Sequence, residues 1–166
     1  MKETEVSPGV VIQQEQQAPS IILPAQSVFK YNLAPEVLND LEQWDAVVGS
    51  GAQVNAGLAT HSSLNAAITF VVSGGAILLL RGTVTENVII TKEVFVQGQG
   101  RESIINGTTE FQSAATYSTF QNLKFGNNLT LDTGTNGIFI KTCFQASGFS
   151  IVDMGTNASV EVWQEP

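Results

Sequence analysis

The sequence predicts an all-β fold: a short right-handed parallel β-helix of three to four coils, with an N-terminal capping helix and an extended N-terminal arm. Three observations predict it. From Ala76 onward the chain breaks into apolar runs of three to six residues bounded by Gly, Asn or Asp. Runs of like composition recur at a step of roughly 25 residues, the window in which periodicity signals a solenoid. Only 13% of residues are charged, about half of the ~25% usual in soluble domains, which suits strands and turns better than helices.

Residues 1–33 are read as the arm. They lack periodicity and carry Pro8, Pro19 and Pro24, yet hold three apolar patches of strand-like composition: Val10-Val11-Ile12, Ile21-Ile22-Leu23 and Val28-Phe29-Lys30-Tyr31. Patches without a core of their own point to docking on another surface, so Val10, Val11, Ile12, Ile21, Ile22, Leu23, Phe29 and Tyr31 are the candidate partner-docking residues.

Residues 34–61 are read as a short helix and a linker. Pro35 suits a first helical turn, and Val37, Leu38, Leu41, Trp44 and Val48 repeat at helical spacing over 34–47 before Gly49-Ser50-Gly51 stops the helix. Residues 62–166 form the β-helix domain. It opens with a helix over Ser63–Val72, capped by Ser62 or Ser63, with Leu64, Ala67, Ile68, Val71 and Val72 as its apolar face and Gly74-Gly75 as a left-handed stop. Such a helix can cover the first open end of the solenoid.

The strand runs expected are Ala76–Leu80, Asn87–Thr91, Val94–Gln97, Ser103–Ile105, Glu110–Gln112, Phe120–Phe125, Leu129–Leu131, Gly137–Lys141, Phe149–Val152 and Ser159–Trp163. They group into three interleaved series. Val94–Val96 leads to Leu123–Phe125 and Phe149–Ile151; Ser103–Ile105 leads to Leu129–Leu131 and Val160–Val162; Glu110-Phe111 leads to Gly137–Phe139. Three strands per repeat, stacked in parallel, place matching inward residues in apolar ladders. Gly98, Gly100 and Gly107 fall at turns, where special backbone angles are expected.

Ser63–Ile68, Gly74–Leu80 and Arg81–Val88 (RGTVTENV), followed by Val94–Gly107 (VFVQGQGRESIING) and Phe120–Phe125, resemble the opening of the pectin-lyase-like β-helix superfamily. Pectin methylesterases and many phage tailspike-type proteins begin in this way. The resemblance covers about 60% of the chain and implies the fold; function does not follow from fold.

Chemistry is sparse. A pectin methylesterase-like site would need paired aspartates, an arginine and glutamines on later coils. Asp132 and Asp153, the only aspartates after residue 45, read as turn residues. Glu86, Glu93, Glu102, Glu110 and Glu161 read as solvated surface rather than a glycosidase carboxylate pair. His61, the only histidine, reads as a local cap or surface residue, and Cys143, the only cysteine, as a small buried hydrophobe. Among Tyr117, Phe120, Phe139 and Phe144, at least three are expected to face inward. Gly98-Gln99-Gly100 lacks the strand–helix setting of a dinucleotide loop. Three Asn-x-Ser/Thr triplets, at Asn106, Asn128 and Asn157, read as asparagine turns. No catalytic, cofactor or metal set is expected.

Net charge is −8 and the seven basic residues are scattered, which argues against nucleic acid as a partner. No apolar run approaches the ~20 residues needed to span a bilayer, and the start MKETEVSPG lacks an apolar signal region, so the expectation is synthesis in a host cytoplasm without membrane insertion. The arm, the short solenoid and the missing catalytic set point to a non-enzymatic structural protein of a bacteriophage virion: a fibre, spike or decoration subunit. Ser7-Pro8-Gly9-Val10 also resembles the start of contractile-tail sheath proteins. A homotrimer is expected, held to other virion proteins through residues 1–33. The alternatives are a polysaccharide-binding or -depolymerising tailspike-like protein, with a host surface glycan as ligand, and a bacterial adhesin module.

Overall fold

A computed structural model describes residues 43–166. They form a parallel β-solenoid of about four turns. Strand β1 is Ala46–Val48, helix α1 Gly51–Asn55 and helix α2 Leu64–Phe70. The strands that follow run in threes: β2 (Gly75–Leu79), β3 (Gly82–Val84), β4 (Val88–Ile90); β5 (Val94–Gly98), β6 (Ser103–Ile105), β7 (Thr109–Phe111); and β8 (Thr119–Gln121), β9 (Lys124–Phe125), β10 (Leu129–Leu131). Strands β11 (Phe139–Gln145), β12 (Ile151–Asp153) and β13 (Ser159–Gln164) complete the set. Every pairing is parallel.

Alternation along each strand sends one set of side chains inward, and parallel stacking places like on like. On one face the rungs are Ile77, Val96, Phe120, Ile140 and Val160. A second column stacks Val84, Ile105, Phe125 and Gln145. The third holds two ladders, Val88–Thr109–Leu129–Ile151 and Ile90–Phe111–Leu131–Asp153. These rungs make one continuous core, in which Phe111 meets Phe120 edge-on at 4.9 Å.

The rung spacing corrects the expected step of 25 residues. Ile105, Phe125 and Gln145 are 20 apart each time, and the first column advances by 19 (Ile77 to Val96) to 24 (Val96 to Phe120). The three expected series therefore slip by one column per coil. Their source is the run Phe120–Phe125, which is two strands. Asn122, at φ 55°, turns the corner between β8 and β9, and Thr142, at φ 50°, turns the same corner 20 residues later within β11. Another corner repeats at Tyr117, Gly137 and Asn157, all at positive φ (62°, 66° and 53°). A Cβ on Gly137 would lie 2.7 Å from the Tyr117 ring, so glycine there serves both angle and space. Of the glycines expected at turns for their angles, only Gly100 has a positive φ (108°). Gly107 is required by close approach instead, since a Cβ would sit 2.0 Å from the Glu86 carbonyl oxygen.

Of the helix expected over 34–47, residues 34–42 lie outside the described residues, and its end is corrected. Ala46-Val47-Val48 is strand β1, all three residues buried and paired with Ile77–Leu79. The Val48 position fits a helical stripe, but three buried residues in a row fit a strand covered on both faces, and tertiary pairing prevails. Ser50 does not stop a helix; it starts α1 through a capping box with Gln53. The second expected helix is present as α2. Ser63 caps it, with Oγ accepting from the Ala66 N–H at 3.1 Å, and Leu64, Ala67, Ile68 and the following Val71 are buried, whereas Val72 is 74% exposed. The expected left-handed stop at Gly74-Gly75 is corrected: the helix ends at Val71, which is extended (φ −70°, ψ 153°), and Gly74, at φ 84°, serves the turn into β2.

Among the described residues no helix is long and apolar enough to cross a membrane.

Candidate functional site

The candidate docking residues Val10, Val11, Ile12, Ile21, Ile22, Leu23, Phe29 and Tyr31 lie outside the described residues. What the described residues supply is a contrast between the ends of the solenoid and one mixed outer face.

At the N-terminal end each column has an edge strand whose backbone would otherwise face nothing. Strand β1 covers β2. The amide of Asn65, on α2, acts as a surrogate strand for β4: Oδ1 accepts from the Ile89 N–H (3.1 Å) and Nδ2 donates to the Asn87 carbonyl (2.7 Å). Beside β3, Gln53 Nε2 donates to the Arg81 carbonyl at 3.4 Å. Glu86 anchors the start of α2, accepting from the Ser63 hydroxyl (2.8 Å), the Asn65 amide (3.0 Å) and the Leu64 N–H. This carboxylate, read from the sequence as solvated surface, is half-buried and structural. His61 is half-buried as well. It lies beside β1 through a parallel bridge to Val48, its Nδ1 lies 2.8 Å from the Thr60 hydroxyl, and burial lowers its pKa.

At the C-terminal end β12 and β13 each have a single neighbour among the described residues, β10 and β11 respectively. The inward positions Ile151, Val160 and Val162 are only partly buried. Around them Val152 is 42%, Met154 50% and Trp163 61% exposed. Two columns turn polar here. Gln145 follows Phe125, with Nε2 donating to the Ser150 carbonyl (3.3 Å) and Oε1 buried without a partner. Asp153 follows Leu131, with Oδ1 accepting from the Gly155 N–H at 3.0 Å. With Ile151, Val160 and Val162 only half-buried, this edge is not a finished core among the described residues.

Strand β13 is tied back by Glu165. Its carboxylate takes Arg101 at 2.8 Å and Lys124 alongside, so coils two and three hold the last strand. The Lys124 hydrogen bond, with Arg101 behind it, holds this carboxyl below the usual glutamate range. Arg101 also lies over the Phe144 ring at 5.7 Å.

The outer face of β5, β8 and β11 is aromatic and amide-rich. Phe95, Thr119 and Phe139 form one outward row, and Gln97, Gln121 and Lys141 the next. Gln121 Nε2 donates to Gln97 Oε1. Trp44 stacks on Phe95 at 5.7 Å, and the Lys141 ammonium sits 5.0 Å from the Phe139 ring centre. Of the four aromatics expected largely inward, only Phe120 is. Phe139 and Phe144 are half-buried on the outside and Tyr117 is 60% exposed, because each occupies an odd position or a corner.

Asp132 and Asp153 occupy turn and strand-end positions, as their sequence contexts suggest. No group of three or more His, Cys, Asp or Glu among the described residues could hold a metal ion. Cys143 is buried and its thiol pushed up to about 11 by burial. The Asn128 side chain accepts from the Ser150 N–H at 2.9 Å, and Asn157 donates to Asn136 at 3.0 Å, so both hold turns together.

Comparisons with protein-family models, with curated proteins and with solved structures find no match to this chain.

Proposed function

We propose that the chain is a non-enzymatic structural subunit of a bacteriophage particle, a fibre, spike or decoration protein of the pectin-lyase-like β-helix type, anchored by residues 1–33 and working as a homotrimer. The observation that carries this reading is the open C-terminal end beside a closed N-terminal one. A solenoid end with half-exposed core positions and unpaired strand edges is stable when something packs on it. The ionic groups fit a load-carrying role. Glu86 fastens the first helix, and Glu165 fastens the last strand across several coils. The mechanism is mechanical: the arm anchors and the solenoid projects.

The test is the solution mass of the full chain by light scattering over a dilution series. A trimer that survives dilution is the expected result. A monomer at every concentration overturns the homotrimer.

One observation favours a second reading, a polysaccharide-binding protein. The row Phe95–Thr119–Phe139 beside Gln97, Gln121 and Lys141 offers apolar rings and hydrogen-bonding amides on one face, the chemistry that suits a sugar chain. Titration with neutral and acidic glycan fragments separates the two: saturable binding that Phe139→Ala abolishes, without loss of thermal stability, supports this second reading.

A further inference from the structure

We propose that Ile21–Leu23 and Val28–Tyr31 of a second copy add to the open C-terminal end as two further strands, the first on β12 and the second on β13. The inference rests on the reading of an arm-anchored oligomer and says where the arm goes.

The argument is one of register. In β13 the partly buried Val160 and Val162 alternate with the exposed Glu161. Val28-Phe29-Lys30-Tyr31 has the same alternation, with Phe29 and Tyr31 on one side and Lys30 on the other. Laid parallel, with Phe29 over Val160, the segment brings Tyr31 over Val162 and Lys30 over Glu161. Apolar faces apolar, and cation faces carboxylate, in directly adjacent positions. A slip of one residue would put Lys30 over the core and Phe29 in water, so the register is specified.

The spacing agrees. Within the solenoid, the third strand of one coil and the first of the next start 6 to 10 residues apart (Val88 to Val94, Thr109 to Thr119, Leu129 to Phe139, Ile151 to Ser159). Ile21 and Val28 are 7 apart. If Val28–Tyr31 lies on β13, Ile21–Leu23 falls on β12. Ile21 then covers Ile151, and Ile22 stands beside Val152, which is 42% exposed. Leu23 lands over Asp153, whose carboxylate is turned to the Gly155 N–H. Pro24 between the two runs breaks pairing where a corner is needed. The contact joins two different patches, so it is heterologous, and three copies related by a threefold axis close it into a ring.

Mixed full-length chains, one normal and one isotopically heavy, are refolded together and joined with a zero-length carbodiimide reagent. The expected product is a heavy–light peptide pair joining Lys30 to Glu161. Glu161→Lys, at an exposed position, is expected to raise the dissociation constant of the oligomer about five-fold, the scale of a cross-strand charge pair. Lys30→Glu combined with Glu161→Lys is expected to restore it, with thermal unfolding confirming that each variant folds. Links confined to pairs from one copy, an oligomer with Lys30 linked elsewhere, or an oligomer indifferent to Glu161→Lys would each overturn the inference while leaving the oligomer standing. A monomer at every concentration would overturn both.

Discussion

At the N-terminal end of the solenoid, a strand, a helix and two side-chain amides, those of Asn65 and Gln53, occupy the places a preceding coil would fill. At the C-terminal end the rungs continue in the same geometry, but the next neighbour is missing among the described residues and the core positions are half exposed. The difference lies in what is laid over the end, not in the backbone repeat of the coils. Asn65 shows how economical closure can be: one amide, correctly placed, satisfies both the donor and the acceptor of an edge strand. Among the described residues nothing equivalent stands over β12 or β13, so the described part of the chain closes one end of the solenoid and leaves the other uncovered.

The sharpest break of this comparison uses one ladder. Ile77, beneath β1, and Val160, on the last rung, stand in the same column, the former fully buried and the latter partly exposed. Ile77→Ala is expected to cost about 2–5 kcal/mol, the range for a large-to-small change that leaves a cavity. Val160→Ala at a half-open rung is expected to cost about 1 kcal/mol or less. Urea titrations of both variants at one protein concentration measure the gap. Equal costs would mean that the C-terminal end is covered in solution, and would locate the partner's footprint.

The next effect is ionic. Glu86→Gln keeps the size of the side chain but removes the charge that holds three donors at the start of α2. A loss of about 2 kcal/mol is expected, as for hydrogen bonds to a charged group. Glu165→Gln, at the other end, is expected to leave the global unfolding midpoint unmoved while loosening β13. A fall in the midpoint for Glu165→Gln as large as that for Glu86→Gln would erase the distinction.

Between the ends, Thr109 sits in the ladder Val88–Thr109–Leu129 with its hydroxyl buried and unpartnered. Thr109→Val matches the shape and removes the unsatisfied group, so a gain of about 1 kcal/mol is expected in the same urea assay. Destabilisation would show that the hydroxyl is satisfied, for instance by a buried water.

Much of this architecture is legible in the residues. The short runs between Ala76 and Trp163, the cap at Ser63 and the turn at Gly74 all follow from local chemistry. What is not legible is how the runs fold against each other. Phe120–Phe125 reads as one strand because nothing in Gln121-Asn122-Leu123 marks a corner as strongly as glycine would; Asn122 in the left-handed region is the weak signal. One missed corner displaces every later rung by a column. For the same reason Phe139 and Phe144 look like core residues until the register shows them outside. The open end is hidden too. Ile151 and Val160 reveal it only once they are known to follow Leu129 and Ile140 in their ladders and to be half-buried there.

Acid gives the smallest effect and separates the ends by pH. Burial lowers the His61 pKa from 6.5, so the folded chain binds its proton less readily than the unfolded chain. Stability is therefore lost as pH falls from 6.5 toward the depressed value, and the loss falls where His61 lies beside Val48 of β1. Glu165 is held below its ordinary 4.5 by Lys124 and Arg101, so its contribution is intact above 4.5 and lost as pH falls through the lowered value. Acid should thus reach the N-terminal end first. Hydrogen exchange, corrected for intrinsic rates, reads this at two amides: Gly49 N–H, bonded to the His61 carbonyl, and Glu165 N–H, bonded to the Gln145 carbonyl, each at 2.9 Å. Protection at Gly49 is expected to weaken just below pH 6.5 and at Glu165 only below 4.5. The reverse order would mean that β13 is held by something other than the Glu165 ion pairs, which in an oligomer would be the next subunit.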